Sequence, residues 1–200
     1  MTAFKEDFPK CHITIEPGDT PELIDLLHDR QIDLAIALEP KHLEQLEYAE
    51  LFTDELAFVV SPNHPWARQG HCTRADIPTQ NYIFYSKNSF TFRMVEKYFA
   101  EEDMVLNSVM ELGSMEAIKE MVKLGMGVSV LAPWLVRRDL AEGTLVTLPL
   151  GRRKLKRNWG ILNWRSRQLS HPEQAFMDLC RKATANFARD HGQPQVAEAA

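Results

Sequence analysis

One phrase, strand, turn, helix and strand, occurs twice in this chain, and no other feature restricts its possible folds as strongly. In the first occurrence residues 12–16 (HITIE) and 32–38 (IDLAIAL) are short, rich in branched side chains and bounded by turn chemistry, so both are predicted strands. Between them Thr20-Pro21-Glu22 predicts the start of a helix over 21–28. The hydroxyl accepts a free amide, proline suits the first helical position, and the carboxylate meets the positive end of the helix dipole. Leu23, Leu26 and Leu27 supply the buried face. In the second occurrence residues 107–112 (NSVMEL) predict a strand and Ser114 a cap. Met115, Ile118 and Val122 give a helical stripe, and residues 127–131 (GVSVL) give the next strand. The two phrases superimpose, with Glu16-Pro17-Gly18-Asp19 over Glu111-Leu112-Gly113-Ser114. Each has the size of a βαβ unit with a parallel strand pair, so the repetition predicts an α/β chain of two similar lobes.

The pair Gly125 and Gly127 does not make a phosphate loop. A dinucleotide loop leaves a strand and opens a helix, with its amides facing the pyrophosphate; here the order is reversed and a third glycine is missing. Gly125 reads as the left-handed residue just past a helix end. Gly18 and Gly113 are more informative, because each precedes a helix amino terminus, where unpaired amides and partial positive charge suit an anion such as a carboxylate. A third such terminus follows the predicted strand 82–85 (YIFY), where Ser86-Lys87-Asn88-Ser89 leads into FRMVEKYF. Plain capping also explains Ser or Thr at these positions, at about 1 kcal/mol each, so both readings stay open.

Two segments, 56–60 (LAFVV, stopped by Pro62 and Pro65) and 158–164 (NWGILNW), are predicted strands that carry the chain between lobes and back. Near the end, Ser170 and Glu173 have capping-box spacing, and Phe176, Leu179, Cys180, Ala183 and Phe187 share a helical face. Residues 189–200 have little to bury and are expected to be a disordered tail. A net charge of −5 over 200 residues argues against this segment coating nucleic acid. Three well-separated cysteines favour reduced cytoplasmic thiols over a disulfide framework, and neither an export signal nor a membrane-length apolar run is present.

Three stretches together, FPKCHITIEPGDTPELIDLLHDRQIDLAIAL, LAFVVSPNHPWA and GSMEAIKEMVKLGMGVSVLAPWLVRRDLAEGTLVTLPL, resemble the effector-binding region of LysR-type transcriptional regulators. The similarity runs from about residue 5 to about residue 185. It implies a fold like that of type 2 periplasmic binding proteins: two Rossmann-like lobes, 1–60 plus 163–188 and 61–162, with a small effector between them. It also implies side-by-side homodimers within tetramers and contact with DNA only through a winged helix-turn-helix that these residues do not contain. The family's region begins with a further strand and loop, so the first strand of the first lobe is expected to be missing and the chain to be a fragment, a mis-started frame or a natural short form. Carried over residue by residue, the effector contacts are Gly18, Asp19 and Thr20; Ser86, Lys87, Asn88 and Ser89; Gly113 and Ser114; and Pro133 and Trp134. The implied ligand is a small organic acid or an amino-acid-like metabolite. Asp19 repels an anion while Lys87 or Arg93 offsets it, so the sequence leaves the ligand's charge open.

The remaining groups have bland readings. The basic run Arg152-Arg153-Lys154-Leu155-Lys156-Arg157 is predicted to be a solvated loop rather than a phosphate-binding patch. Cys11-His12 and His71-Cys72 point to opposite faces of an extended chain and lack zinc spacing, so neither a metal nor a cofactor is expected. No nucleophile and base can be matched, which places an enzyme of binding-protein fold behind a sensor. A transport-type solute-binding protein and a ligand-free remnant rank behind the sensor too, the first because the chain shows no export signal.

Overall fold

The computed structural model describes residues 2–185 and 187. In chain order its elements are α1 (Thr2–Asp7), α2 (Thr20–His28), β1 (Ala35–Leu38), β2 (Leu46–Glu55), β3 (Ala57–Val60), α3 (Pro65–Gln69), β4 (Asn81–Phe84) and α4 (Phe90–Ala100). There follow β5 (Asn107–Glu111), α5 (Met115–Lys123), β6 (Ser129–Leu131), α6 (Arg137–Ala141), β7 (Val146–Pro149), β8 (Lys156–Trp164) and α7 (His171–Thr184). The described residues divide into two compact units, 2–54 with 157–185 and 187, and 55–156, so the chain passes from one to the other twice. The expected tail, 189–200, lies outside the described residues. Among those residues no helix is long and apolar enough to cross a membrane.

The discontinuous unit holds a three-stranded sheet of order β1-β8-β2, with β1 antiparallel to β8. Leu23 and Leu27 of α2 pack with Ala35, Ala37, Leu46 and Leu162 as its core. Phe4 of α1 meets Phe176 of α7 edge-on, with ring centroids 5.9 Å apart. The expected capping box of α7 is present: Ser170 N donates to Glu173 Oε2 at 2.6 Å.

Three expectations fail in this unit. Residues 12–16 do not form a strand, and no parallel pair joins them to 32–38, which contribute only the four residues of β1. A strand exists only through its ladder, and Ile15 is 76% exposed with no neighbouring strand among the described residues. Thr20 does not cap α2. Asp19 holds the cap position, with its N–H donating to Glu22 Oε2 at 2.9 Å, while the buried Thr20 hydroxyl accepts the Leu38 amide at 3.2 Å. The basic run is not uniformly solvated either. Arg157 is buried against Asp54, and Arg157 Nη2 donates to Asp54 Oδ2 at 2.6 Å.

In the continuous unit, β6-β3-β7 is an antiparallel sheet and β4-β5 a parallel pair. A parallel Tyr82–Val128 bridge joins them, with Ile83 N to Val128 O and Val128 N to Asn81 O both 2.9 Å, giving the order β5-β4-β6-β3-β7. The flanking strands of the second phrase, β5 and β6, are therefore separated by β4 rather than paired with each other. Alternation along the strands sends Phe58, Tyr82 and Val130 to one face, against Trp66, Val95 and Phe99, and sends Val59, Ile83 and Leu131 to the other, against Ile118, Val122 and Val136. Both faces are thus covered, as a sheet with parallel crossovers requires. The other four basic residues of the run are exposed, as expected of a solvated loop, and two of them make ion pairs inside this unit: Lys154 with Glu55 at 2.7 Å, and Arg153 with Glu101 and Glu102.

Gly125 has φ +75° and closes α5, as expected from its place after the apolar stripe. Gly127 is bare for a different reason: a Cβ there would stand 2.6 Å from the Asn81 carbonyl oxygen.

Candidate functional site

Because β4 and β5 are parallel, and β4 also runs parallel to the Val128 segment that enters β6, the carboxyl ends of β5, β4 and β6 lie side by side at one end of the sheet. The loops leaving them carry three of the predicted groups in spatial order: Gly113 and Ser114, then Ser86 to Ser89, then Pro133 and Trp134. That end of an open α/β sheet is where ligands bind, because helix amino termini and adaptable loops converge there. The fourth group, Gly18, Asp19 and Thr20, belongs to the other unit. Thr20 is buried and bonded to Leu38, which leaves Gly18 and Asp19 as the accessible members of that turn.

Local bonds shape the loops. Gly113, at φ +56°, donates its N–H to Tyr85 O at 3.0 Å, and Leu112 N reaches Phe84 O at 3.2 Å, so the β5 turn is fastened to the end of β4. Ser89 caps α4, accepting the Phe92 amide at 3.1 Å and donating its hydroxyl proton to Ser86 O at 2.8 Å. Ser114 caps α5, accepting the Ala117 amide at 3.4 Å, and its O–H has no acceptor among the described residues. A capping hydroxyl keeps a donor of its own, so Ser114 can bond an anionic oxygen without giving up the cap. Ser86 Oγ accepts the Asn88 amide at 3.1 Å. Pro133 and Trp134 form a short 3-10 turn, Pro133–Val136, half-buried against the core.

Two acidic residues escaped the sequence reading. Glu111 accepts the Lys87 amide at 2.8 Å and faces its ammonium at 3.7 Å, so it holds the 86–89 loop while partly offsetting its positive charge. Asp139, in the first turn of α6, is buried with Lys123 Nζ 2.5 Å from Oδ1 and Lys119 Nζ 3.6 Å from Oδ2. Neither has a sequence signal, since partners 24 and 16 to 20 positions away leave no local pattern. An open groove of about 560 Å³ runs beside α4, lined by Lys87, Phe92, Glu96 and residues 105–108; of the predicted residues it touches only Lys87.

Burial alone would raise the Asp139 pKa, but the hydrogen bond from Lys123 and the charge of Lys119 outweigh it and hold the group below its ordinary value. A depressed carboxyl contributes stability that is complete above the unfolded pKa, near 4, and is lost as pH falls through the folded value. The free-energy difference between the wild type and Asp139→Asn, from urea unfolding, should therefore be constant above about pH 5 and shrink below about pH 4. A difference that grew on acidification would contradict this.

A family model described as the LysR substrate binding domain matches residues 1–185. Among similar curated proteins, the HTH-type transcriptional activator CmpR of Synechocystis is 26% identical over 175 residues, covering 88% of this chain and 58% of its own length. The RuBisCO operon transcriptional regulator of Acidithiobacillus ferrooxidans is 30% identical over 188 residues, covering 93% and 60%. The chain thus spans about six-tenths of the length of these relatives. Among solved structures, the Synechocystis CcmR regulatory domain in complex with 2-PG has a TM-score of 0.82 at 26% identity, covering 92% of this chain and 89% of that one. The QuiR effector-binding domain in complex with shikimate, at TM-score 0.73 and 22% identity, covers 96% and 90% and shares the fold.

Proposed function

The chain belongs to the LysR substrate binding domain family, and on that premise we propose that it is the small-molecule effector-binding regulatory domain of a transcriptional regulator. The observation that carries this reading is the alignment of three loops, 86–89, 113–114 and 133–134, on adjacent carboxyl strand ends of one sheet. They offer hydroxyls, two helix amino termini and one lysine, groups that hold a ligand rather than transform it. The effector is a small organic acid. Supporting this are the Ser114 donor, the starts of α4 and α5, and the 2-PG bound by the similar CcmR domain. Glu111, which holds the 86–89 loop, favours an effector that also carries a donor group.

In this reading the domain works in the cytoplasm as a homodimer or larger oligomer, and DNA is contacted by a helix-turn-helix segment outside these residues. Effector binding shifts the population of conformations available to the DNA-bound assembly, so the signal is a differential affinity for two states and needs no chemistry on the ligand.

Thermal unfolding in the presence of small acids, beginning with 2-PG, tests the proposal. A ligand at about a hundred times its Kd stabilises by ~2.7 kcal/mol, which is ~5–10 °C for a chain of this size. Ser114→Trp, at an exposed position, should abolish that shift while lowering the unliganded melting temperature by only about 2–4 °C through loss of the α5 cap. An unchanged shift in the variant would remove Ser114 from the site, and no shift from any acid would remove the acid class.

A further inference from the structure

We propose that Asp139 is a positioning residue for the effector site: gripped by Lys119 and Lys123, it fixes the register of α5, which begins at the Ser114 cap, against the turn that carries Pro133 and Trp134. The inference rests on the effector reading of those loops and assigns the residue that keeps two of them in place.

Lys119 and Lys123 lie one turn apart on α5 and converge on the two oxygens of one carboxylate, at 3.6 and 2.5 Å. Their solvent sides are held by Glu116 and Glu120, each at 2.8 Å, so the lysines are clamped from both directions. The nearby Arg138–Glu142 pair, on exposed side chains of α6, is satisfied within itself. Asp139 is equally fixed at its backbone, where its carbonyl accepts the Thr144 amide at 2.9 Å and the Leu145 amide at 3.3 Å, tying α6 to the start of β7. The rest of the seam between α5 and this segment is apolar: Ile118 and Val122 against Val136 and Leu145. Such packing is strong but non-directional, and leaves a short helix able to rotate or slide by a fraction of a turn. A carboxylate caught between lysines a turn apart is directional, and burying it is costly unless every member is paired. An apolar residue would fill the position more cheaply, which argues that the charge specifies an arrangement.

The lever arms are short. Ser114 precedes Lys119 by five residues along one helix, and Trp134 precedes Asp139 by five through the 3-10 turn that runs directly into α6. A loosened clamp is therefore felt at both loops, while the β3–β6–β7 ladders keep their own bonds.

Amide hydrogen exchange on the whole chain, without ligand, tests this in Asp139→Asn. The amides of Ala117 and Ile118, bonded to Ser114, and of Leu135, bonded to Ala132 O, should exchange about tenfold faster or more, with ladder amides within about twofold of wild type. Uniform acceleration across the unit, or none, would overturn the proposal. The variant Lys119→Met/Lys123→Met/Asp139→Leu separates position from stability: it should recover the melting temperature and still exchange fast at 117, 118 and 135. Recovery of protection at those amides as well would overturn it. With 2-PG as probe, Asp139→Asn should weaken Kd about tenfold. The exchange result stands whether or not 2-PG binds, so failure of the effector reading and failure of this one are distinguishable.

Discussion

Replacing Asp54 with alanine is expected to destabilise the discontinuous unit by about 3–5 kcal/mol and to lower its melting temperature by roughly 10 °C. Asp54 and Arg157 side chains are 2% and 5% exposed, and the pairing is bidentate, with Arg157 Nε to Oδ1 at 2.9 Å and Nη2 to Oδ2 at 2.6 Å. Trp159 Nε1 donates to the same Oδ2 at 3.0 Å. Alanine removes the carboxylate that neutralises a guanidinium kept out of water, and the loss exceeds the net worth of the pair because a buried charge remains. The double variant Asp54→Leu/Arg157→Met removes both charges and should recover most of the loss. Calorimetry checks both outcomes; an Asp54→Ala protein that melted within about 2 °C of wild type would show that solvent reaches the pair.

Gly127→Ala should cost ~2–3 kcal/mol, since the new Cβ would meet Asn81 O at 2.6 Å and Ile83 Cγ1 at 3.1 Å. Asn81 O is also the acceptor for Val128 N, so relief of the clash opens the seam by which β4 joins the rest of the sheet. Gly125→Ala is the contrasting change. Nothing lies within 4 Å of its added Cβ, and only the left-handed backbone penalty of about 1–2 kcal/mol applies. Denaturant titration of the two variants should rank Gly127→Ala as the more damaging, and should show loss of β4 protection only there. The reverse ranking would mean that backbone conformation, not the close approach of chains, explains both glycines.

Legibility in the sequence followed the range of the interaction. The Ser89, Ser114 and Ser170 caps, the Gly125 helix end and the short apolar run of β3 were readable because each depends on residues within about four positions. β2 was not. LEYAELFTDE mixes buried Leu46 and Asp54 with half-exposed positions, and neither strand nor helix periodicity emerges from it. At the candidate site, the 86–89 and 113–114 loops were legible through the helix starts they cap and Pro133 and Trp134 through the family resemblance alone, but Glu111 and Asp139, which hold those loops, were not. Their partners lie across the fold.

What the sequence determined by itself was the α/β class, the strand-helix-strand order of the second phrase, and the helix ends marked by Ser89, Ser114, Gly125 and Ser170. The tertiary structure alone decided that residues 12–16 stay unpaired, that β4 inserts between β5 and β6, that the Thr20 hydroxyl serves Leu38 rather than its helix, and that Arg157 leaves the basic run to meet Asp54. The physical reason is that caps and periodicity are satisfied within one turn or one strand. A ladder partner such as Leu162 for Ala35, or a buried counter-charge such as Arg157 for Asp54, 103 positions away, is supplied from far along the chain, and only the folded chain brings it within bonding distance.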